Sequence, residues 1–261
     1  DNLINSDITS IHKINLITSK KCKFYKLDIR DQKNLEKIFK KYSFDAVFHF
    51  AGLKSIVESL KHSDEYMSCN VDGTKSLINQ IKKSSVTKII FSSSASVYGK
   101  NLEPPWSETI KNVYPCNTYA KTKLIIEKML HTLTIKKSDL KVGVLRYFNP
   151  IGSHKSGLLG DKIDNSSNLV PAIINTILGN QDFIEVFGND YQTKDGTGVR
   201  DYIHVDDLID GHLKAYEFIE QNEGYNLWNL GMGKGHTVLE VINCFKINSG
   251  LQLPFKIKDR R

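Results

Sequence analysis

Tyr119 and Lys123 lie four positions apart in the sequence, and both are residue types that can move a proton to or from an alcohol. Residues i and i+4 share one helix face, and the apolar pattern that follows Lys123 predicts a helix. A lysine cation beside the phenol favours phenolate, which moves the tyrosine pKa from about 10 toward neutrality. A serine cluster ending at Ser94 precedes the tyrosine by 25 residues and could bond the same substrate oxygen. This combination suits the oxidation of a carbinol or the reduction of a ketone.

The elements around this pair are predicted from runs of apolar residues, because the pair alone also fits an ordinary amphipathic helix with a surface tyrosine and lysine. Buried strands are predicted over residues 23–28, 46–50, 88–92 and 142–147, and helices over 31–42, 65–84 and 118–135. This alternation is typical of βαβ units. It predicts an α/β fold with a doubly wound parallel sheet of the Rossmann-like kind.

The regular alternation of predicted strands and helices ends after Pro150. Residues 152–201 are rich in Gly, Asn and Asp and contain one predicted helix near 169–178. Regular elements then resume, with a strand and a helix over 202–218, a short strand near 228–230 and a helix from Thr237. We expect a second, smaller domain that is interleaved with the first.

Three predicted strand ends carry polar or small residues, at 28–29, 49–54 and 92–94. The carboxyl ends of parallel strands meet at one edge of a sheet, and ligands of such sheets bind there. Each segment alone would be an ordinary loop. Three on one edge, with the Tyr119 helix following the third, predict a ligand site.

The composition argues against several classes of protein. The chain of 261 residues is 40% hydrophobic and 25% charged, which is typical of globular proteins. No apolar run approaches the ~20 residues of a membrane span. The net charge of +7 comes from dispersed lysine pairs. They indicate solvated surface rather than a nucleic-acid site, and an anionic small-molecule substrate fits as well.

The cysteines and histidines do not form a convincing metal pattern. The four cysteines contain no Cys-x-x-Cys pair, which is typical of free thiols in a reducing cytosol and predicts a cytoplasmic protein. The segment from His204 to His212 is rich in aspartate and is the alternative metal candidate. It straddles a predicted strand end and helix, where Asp206 or Asp207 would cap the helix, so we expect no metal.

Several stretches together resemble one enzyme family. They are residues 50–54, 70–74, 92–99, Tyr119-x-x-x-Lys123, 145–150, and 187–191 continuing over 195–205. In this order, over essentially the whole chain, they are similar to the UDP-glucose 4-epimerases, which are extended short-chain dehydrogenases/reductases. The last stretch is far more specific than Tyr-x-x-x-Lys, which many oxidoreductases share.

This resemblance implies NAD-dependent interconversion of UDP-glucose and UDP-galactose, a reaction of galactose metabolism. Tyr119, as phenolate, would take the proton of the sugar 4-hydroxyl, and bound NAD would accept the C4 hydride. The 4-keto sugar would then turn over, and the hydride would return to its opposite face. Ser94 would orient the 4-oxygen. Lys123 would lower the tyrosine pKa and hold the nicotinamide ribose.

The resemblance also implies two sets of binding residues. Those expected to line NAD are Asp1, Asn2, Asn5, Ser6, Asp28, Ile29, Phe50, Ala51, Gly52, Leu53, Lys54, Asn70, Ser94, Tyr119, Lys123 and Phe148. Those expected to hold the UDP-sugar are Ser94, Tyr119, Asn149, Asn168, Leu169, Val186, Phe187, Arg200, Tyr202 and Arg261. An arginine makes charge-assisted, often bidentate bonds to a pyrophosphate, which suits Arg200 and Arg261.

These sets predict how the chain divides. We expect an NAD-binding domain over 1–150 and about 202–230, and a UDP-sugar-binding domain over about 151–201 and 231–261. The oligomeric state stays open, with a homodimer as one option.

The sequence departs from the family pattern at both ends. There is no Gly-x-Gly-x-x-Gly followed by an acidic residue ~20 positions on. Asp1 resembles that acidic residue, and the chain stops at Arg261, where the family continues. We therefore expect a fragment without the first strand and helix, which would bind NAD poorly because the helix N-terminus that cradles its pyrophosphate is missing. Where the family has two adjacent asparagines before Leu169, this chain has Ser167 and Asn168 in a shorter loop.

Two other functions stay open. A related nucleotide-sugar dehydratase or decarboxylase would need an acid just after the serine. Ala95, Ser96 and Val97 follow Ser94 instead, which favours an epimerase. The other alternative is a non-catalytic NAD- or UDP-sugar-binding protein. The joint presence of Ser94, Tyr119 and Lys123 argues against it for a complete protein, but not for an isolated fragment.

Overall fold

A computed structural model describes residues 1–161 and 168–260. The chain forms two compact units, each made of two segments. The first unit contains Asp1–Tyr147 and Ile209–Leu230, and the second contains Phe148–Leu208 and Gly231–Arg261. None of the helices described is long and apolar enough to cross a membrane. Among the same residues, no three His, Cys, Asp or Glu side chains converge as metal ligands would.

The elements are numbered in chain order. The helices are α1 Thr9–Thr18, α2 Gln32–Lys41, α3 Ile56–Lys61, α4 Ser63–Tyr66, α5 Gly73–Lys82, α6 Thr118–Lys136, α7 Leu169–Ile177, α8 Val205–Gln221 and α9 Val238–Ser249, with a π-helical segment Met67–Asp72 and a 3-10 turn Ala95–Tyr98. The strands are β1 Val47–His49, β2 Lys88–Ser94, β3 Lys141–Tyr147, β4 Asn149–Ile151, β5 Ile184–Phe187, β6 Val199–His204, β7 Gly224–Leu230, β8 Gly235–Thr237 and β9 Phe255–Lys258.

The first unit is built on a parallel sheet in the order β1-β2-β3-β7. Strands β2 and β3 are buried along nearly their whole length, as expected for a parallel sheet covered on both faces. Phe91 and Val144 face the core formed with α5 and α6, whereas Ile90 and Leu145 face Ala215 and the rest of α8. This is the doubly wound arrangement predicted from the sequence.

The second unit contains two small sheets. Strand β6 pairs in parallel with β4 and antiparallel with β8, and β5 pairs in parallel with β9. Its apolar core is formed by residues of α7, β5 and α9, including Ile173, Ile184 and Ile242. Helix α9 begins with a capping box in which the side chains of Thr237 and Glu240 each accept from the other's backbone N–H.

Two predicted elements differ from the structure. Residues 23–28 do not form a strand. Leu27 N–H donates to the Asp1 carbonyl at 3.0 Å and the Asp1 ammonium group donates to the Tyr25 carbonyl at 3.4 Å, and these two bonds to one residue do not make a strand ladder. Leu27 instead packs against the core of the first unit. The predicted helix over 65–84 is interrupted by the π-helical segment Met67–Asp72. Such segments are frequent at functional sites, and this one contains Asn70.

Helix α6 has a defined start. The side chain of Asn117 accepts a hydrogen bond from Ala120 N–H at 2.8 Å, which satisfies a donor that the helix itself leaves unpaired. This cap fixes the turn that carries Tyr119.

We expect Asn117→Ala to lower the unfolding free energy by about 1 kcal/mol, because the Ala120 N–H loses its acceptor. Thermal melting followed by circular dichroism measures the change. Asn117→Asp is the matched control, since aspartate caps as well as asparagine. Equal losses in both variants would show that the cap is not responsible.

Candidate active site

Ser94, Tyr119 and Lys123 come together in the first unit. Ser94 is the last residue of β2, and Tyr119 and Lys123 lie in the first two turns of α6. The Lys123 side chain is buried and its Nζ donates to the Ser92 carbonyl at 2.7 Å. The same Nζ lies 5.7 Å from the centroid of the Tyr119 ring. The helix–strand arrangement expected from the sequence therefore brings phenol, hydroxyl and ammonium groups to one place.

The charge state of Tyr119 differs from the sequence-based expectation. Burial raises the pKa of the Tyr119 phenol, and hydrogen bonding with Ser94 opposes this only in part. Lys123 was expected to move this pKa toward neutrality, but its ammonium group is bonded to Ser92 rather than to the phenol. Loss of solvation therefore outweighs the cation's attraction for phenolate in this arrangement.

Lys123 and His49 are also shifted by burial. Burial lowers the pKa of Lys123 to about 8, and the Glu127 carboxylate acts in the opposite direction. Burial, with a smaller effect of the Lys123 charge, lowers the pKa of His49 to about 3. His49 ends β1, and its Nε2 lies 2.8 Å from the Thr74 hydroxyl. The imidazole is thus neutral, so Lys123 does not face a second cation there.

The loop over residues 50–54 is held against α6 by Asn70. The Asn70 side chain accepts from Leu53 N–H at 2.7 Å and donates to the Leu53 carbonyl at 3.1 Å. It also donates to the Thr122 hydroxyl at 3.0 Å. Gly52 has φ of +154°, and a Cβ there would lie 2.9 Å from Asn70 Oδ1. Phe50, like Ala51 and Lys54 of the same predicted cofactor loop, is exposed.

A second group of predicted cofactor residues lies at the start of the chain. Asn2 donates to the Asp28 carboxylate at 2.9 Å, and Ser6 donates to the Asp1 carboxylate at 2.8 Å. Hydrogen bonds from Arg30 are the largest cause that holds the pKa of Asp28 well below its usual range. Two further predicted residues do not join this cluster: Asn5 is exposed and Ile29 packs against the core.

The predicted substrate residues fall in the second unit. Asn149 on β4 is the register partner of Tyr202 on β6, so these two are neighbours. Burial raises the pKa of Tyr202. Arg200 is exposed and its Nη1 donates to the carbonyl of the adjacent Val199 at 2.7 Å. Phe148, predicted to contact the cofactor, lies at the start of this unit; a Cβ at Gly231 would be 3.0 Å from its ring.

Other predicted substrate residues contribute to the core of this unit. Val186 is buried within it and Leu169 packs against it, so the Val186 side chain is not available to a ligand. Phe187 follows on β5, and Asn168 precedes α7. Arg261 and residues 165–167 lie outside the described residues.

Two buried residues near the Tyr119–Lys123 pair, Glu127 and Arg146, were not anticipated from the sequence. Glu127 forms a bidentate ion pair with Arg146 and also accepts a hydrogen bond from the Ser93 hydroxyl. The spacing of Glu127 from Lys123, again four residues, places both on one helix face and could have identified it. Nothing local in the sequence identifies Arg146 as its partner, because the pairing depends on the register between β3 and α6.

A parallel doubly wound sheet with a serine at one strand end and a Tyr–Lys pair on the following helix defines the short-chain dehydrogenase/reductase class of α/β enzymes. The sequence model of one family within this class matches residues 3–231. This chain belongs to the NAD dependent epimerase/dehydratase family.

Two similar relatives are named UDP-glucose 4-epimerase. The protein of that name from Pasteurella multocida (strain Pm70) is 42% identical over 262 residues, which covers 100% of this chain and 78% of the relative. The Bacillus subtilis (strain 168) protein of that name is 41% identical over 262 residues, which covers 100% of this chain and 77% of the relative.

Solved structures give the same result. The UDP-glucose 4-epimerase of Stenotrophomonas maltophila, crystallised with NAD and formylated UDP-arabinopyranose, superposes with a TM-score of 0.95 at 40% identity and covers 100% of this chain and 78% of that one. The Bifidobacterium longum enzyme in complex with NAD+ and UDP gives 0.94 at 41% identity, with the same coverage. The family resemblance, the α/β fold and the NAD-dependent enzyme class predicted from the sequence are confirmed.

The lowered pKa of Lys123 predicts a pH dependence of stability. The folded protein releases this proton near pH 8, whereas the unfolded chain keeps it to about pH 10.5. Between these values the unfolded state binds more protons, so Lys123 makes the unfolding free energy rise with pH by about 1.4 kcal/mol per unit.

Urea unfolding at a series of pH values tests this, with Lys123→Met as the comparison because it lacks the titrating group. The difference between the two stability curves should grow as pH rises from about 8 to 10.5. A difference that is flat over this window would show that Lys123 keeps an ordinary pKa in the folded protein.

Proposed function

We propose that this protein interconverts UDP-glucose and UDP-galactose by oxidation at C4 of the sugar, rotation of the 4-keto sugar and reduction from the opposite face. The observation that carries the proposal is the Ser94–Tyr119–Lys123 arrangement, in a chain that is 40–42% identical over its whole length to proteins named UDP-glucose 4-epimerase. We assign NAD binding to the first unit and UDP-sugar binding to the second.

The residues of the first unit fit NAD. Lys123 is a buried ammonium group with three donors, and the one bond that we observe uses only one of them. Its remaining donors suit the hydroxyls of a ribose. Gly52 has no Cβ and so lets Asn70 approach and hold Leu53, which fixes a loop whose Phe50, Ala51 and Lys54 are exposed to a cofactor. The Asn2–Asp28 pair supplies further polar groups. When bound, NAD supplies the two-electron acceptor for oxidation at C4 of the sugar.

The protein's own residues move the proton. Tyr119, as phenolate, takes the proton of the sugar 4-hydroxyl and returns it to the same oxygen after the sugar has turned over. Ser94 holds that oxygen through its hydroxyl. Lys123 favours the phenolate by its charge, opposing the burial that raises the phenol pKa. No proton is consumed overall.

The residues of the second unit would hold the UDP-sugar. Arg200 is exposed and can present its guanidinium to the pyrophosphate, and we assign Arg261 the same role. Asn149 and Tyr202, paired in register on β4 and β6, would contact the nucleotide-sugar, as would Asn168, Leu169 and Phe187. Val186 would contribute its backbone only, because its side chain is buried.

The residues after Ser94 favour epimerisation over dehydration or decarboxylation. Ala95 and Val97 are buried and carry no acid. The backbone N–H and the hydroxyl of Ser96 both donate to Ser94 Oγ, at 3.2 Å and 2.9 Å. A carboxylate that could remove a hydroxyl group is therefore not supplied by this turn.

We expect Tyr119→Phe to lower turnover of UDP-galactose by orders of magnitude while the protein stays folded, because the proton acceptor is lost. Tyr42→Phe is the matched control, since it removes a phenol that bonds Tyr25 rather than Ser94 and should leave turnover unchanged. A coupled assay of UDP-glucose formation measures both, with NAD in excess because weak NAD binding is expected. Near-normal turnover by Tyr119→Phe would remove the proposed base.

We expect the hydrogen at C4 of the sugar to stay with the molecule through the reaction. The proposed chemistry passes it between sugar and NAD rather than through water. Running the NAD-loaded protein in deuterated water and analysing the product by NMR tests this. Deuterium at C4 would contradict the mechanism.

A further inference from the structure

A buried ion pair lies one helical turn beyond Lys123. Glu127 and Arg146 are 4% and 5% exposed, and the guanidinium Nε and Nη2 donate to the two carboxylate oxygens at 3.0 Å and 2.7 Å. The Ser93 hydroxyl donates to Glu127 at 2.5 Å. The guanidinium also lies over the Tyr98 ring, 4.7 Å from its centroid.

Stability alone does not explain this pair. Removing two charges from water is energetically costly, and an apolar pair of similar volume is often as stable. The cost is increased here because Arg146 Nη1 is buried with no hydrogen-bond partner among the described residues. A buried ion pair with an unpaired donor calls for a functional reason.

The position of the pair supplies one. Tyr119, Lys123 and Glu127 recur every four residues along α6 and therefore share one face. The strand β2 meets this face with three consecutive serines. Lys123 bonds the Ser92 carbonyl, Glu127 bonds the Ser93 hydroxyl, and Tyr119 interacts with Ser94.

Glu127 ties this face to a second strand as well. Arg146 is the register partner of Ser93 on the neighbouring strand β3. The Glu127 carboxylate therefore fixes α6 against both β2 and β3, one helical turn after Lys123.

The carboxylate also acts on the charge of Lys123. The titratable groups that act on or contact Lys123 are His49 from β1 and Tyr119 and Glu127 from α6. On β3, Arg146 pairs with Glu127 and the Tyr147 hydroxyl bonds His212. His49 is neutral, and burial raises the pKa of the Tyr119 phenol, so neither adds a fixed negative charge beside Lys123. Glu127 is the group that opposes the loss of the Lys123 charge on burial.

We propose that Glu127, locked in place by Arg146 and Ser93, is a positioning residue that holds Lys123 over the Ser92 carbonyl and keeps its ammonium group charged for the reaction. The inference rests on the proposed function for its kinetic consequence, whereas its effect on the charge of Lys123 is independent of turnover.

The test is Glu127→Gln, which keeps the shape of the side chain but removes its charge. The titration of Lys123 is followed by NMR of the labelled lysine Cε, assigned with Lys123→Arg. We expect its midpoint to fall by about one pH unit. In the presence of NAD, kcat plotted against pH should decrease at high pH with a midpoint that is lower by the same amount. The KM for UDP-galactose should change little.

Glu220→Gln is the matched control. It removes a carboxylate that forms an ion pair with Lys88 at 2.7 Å, at a partly exposed site. The Lys123 midpoint and the pH profile should both stay unchanged. If Glu127→Gln leaves the Lys123 midpoint where it is, or if Glu220→Gln lowers it equally, the inference is wrong.

Ser93→Ala keeps the inference testable if Glu127→Gln does not fold. It removes one bond to the carboxylate without removing the charge, so kcat should fall at an unchanged KM and an unchanged Lys123 midpoint. An unchanged kcat would refute the positioning role. If the unaltered protein does not turn over UDP-galactose, the proposed function fails, and the lysine titration still decides the charge effect.

Discussion

The register of helix α6 against strand β2 is the constraint on which the candidate site depends. Lys123 bonds the Ser92 carbonyl, and Tyr119 bonds Ser94, only if α6 packs at one particular position along the axis of β2. Asn117 fixes where the helix begins, and the apolar residues Ile126, Leu130 and Leu133 fix which face is buried. Polar chemistry at the first turns is thus set by apolar packing farther along the same helix.

The same burial that positions the two groups works against their charged forms. It raises the pKa of the Tyr119 phenol and lowers that of the Lys123 ammonium group. Each ion would be favoured only beside the other or beside a further charge. For Lys123 that further charge is the Glu127 carboxylate, and a pKa of about 8 leaves the ammonium group charged at neutral pH.

The sequence predicted strands over 88–92 and 142–147 correctly because the buried middle of each parallel strand is a short run without polar side chains, over 89–91 and 142–145. It also predicted Ser94, Tyr119 and Lys123 as neighbours, since strand ends and helix faces follow from spacing. It was wrong about residues 23–28, whose strand character depends on bonds to another segment rather than on local pattern. It did not anticipate the direction of the Tyr119 pKa or the Glu127–Arg146 pair, because both depend on burial and tertiary register.

The π-helical segment Met67–Asp72 has a consequence for how this chain could change. A π segment accommodates one residue more than an α-helix of the same length, and each residue turns the helix by about 100°. Deleting a single residue there would restore ordinary helical spacing and leave the core face of α5 in register. Asn70 would then point away from Leu53 and Thr122, which it now joins. Such a deletion would therefore release the loop over 50–54 from α6 without changing which face of α5 is buried.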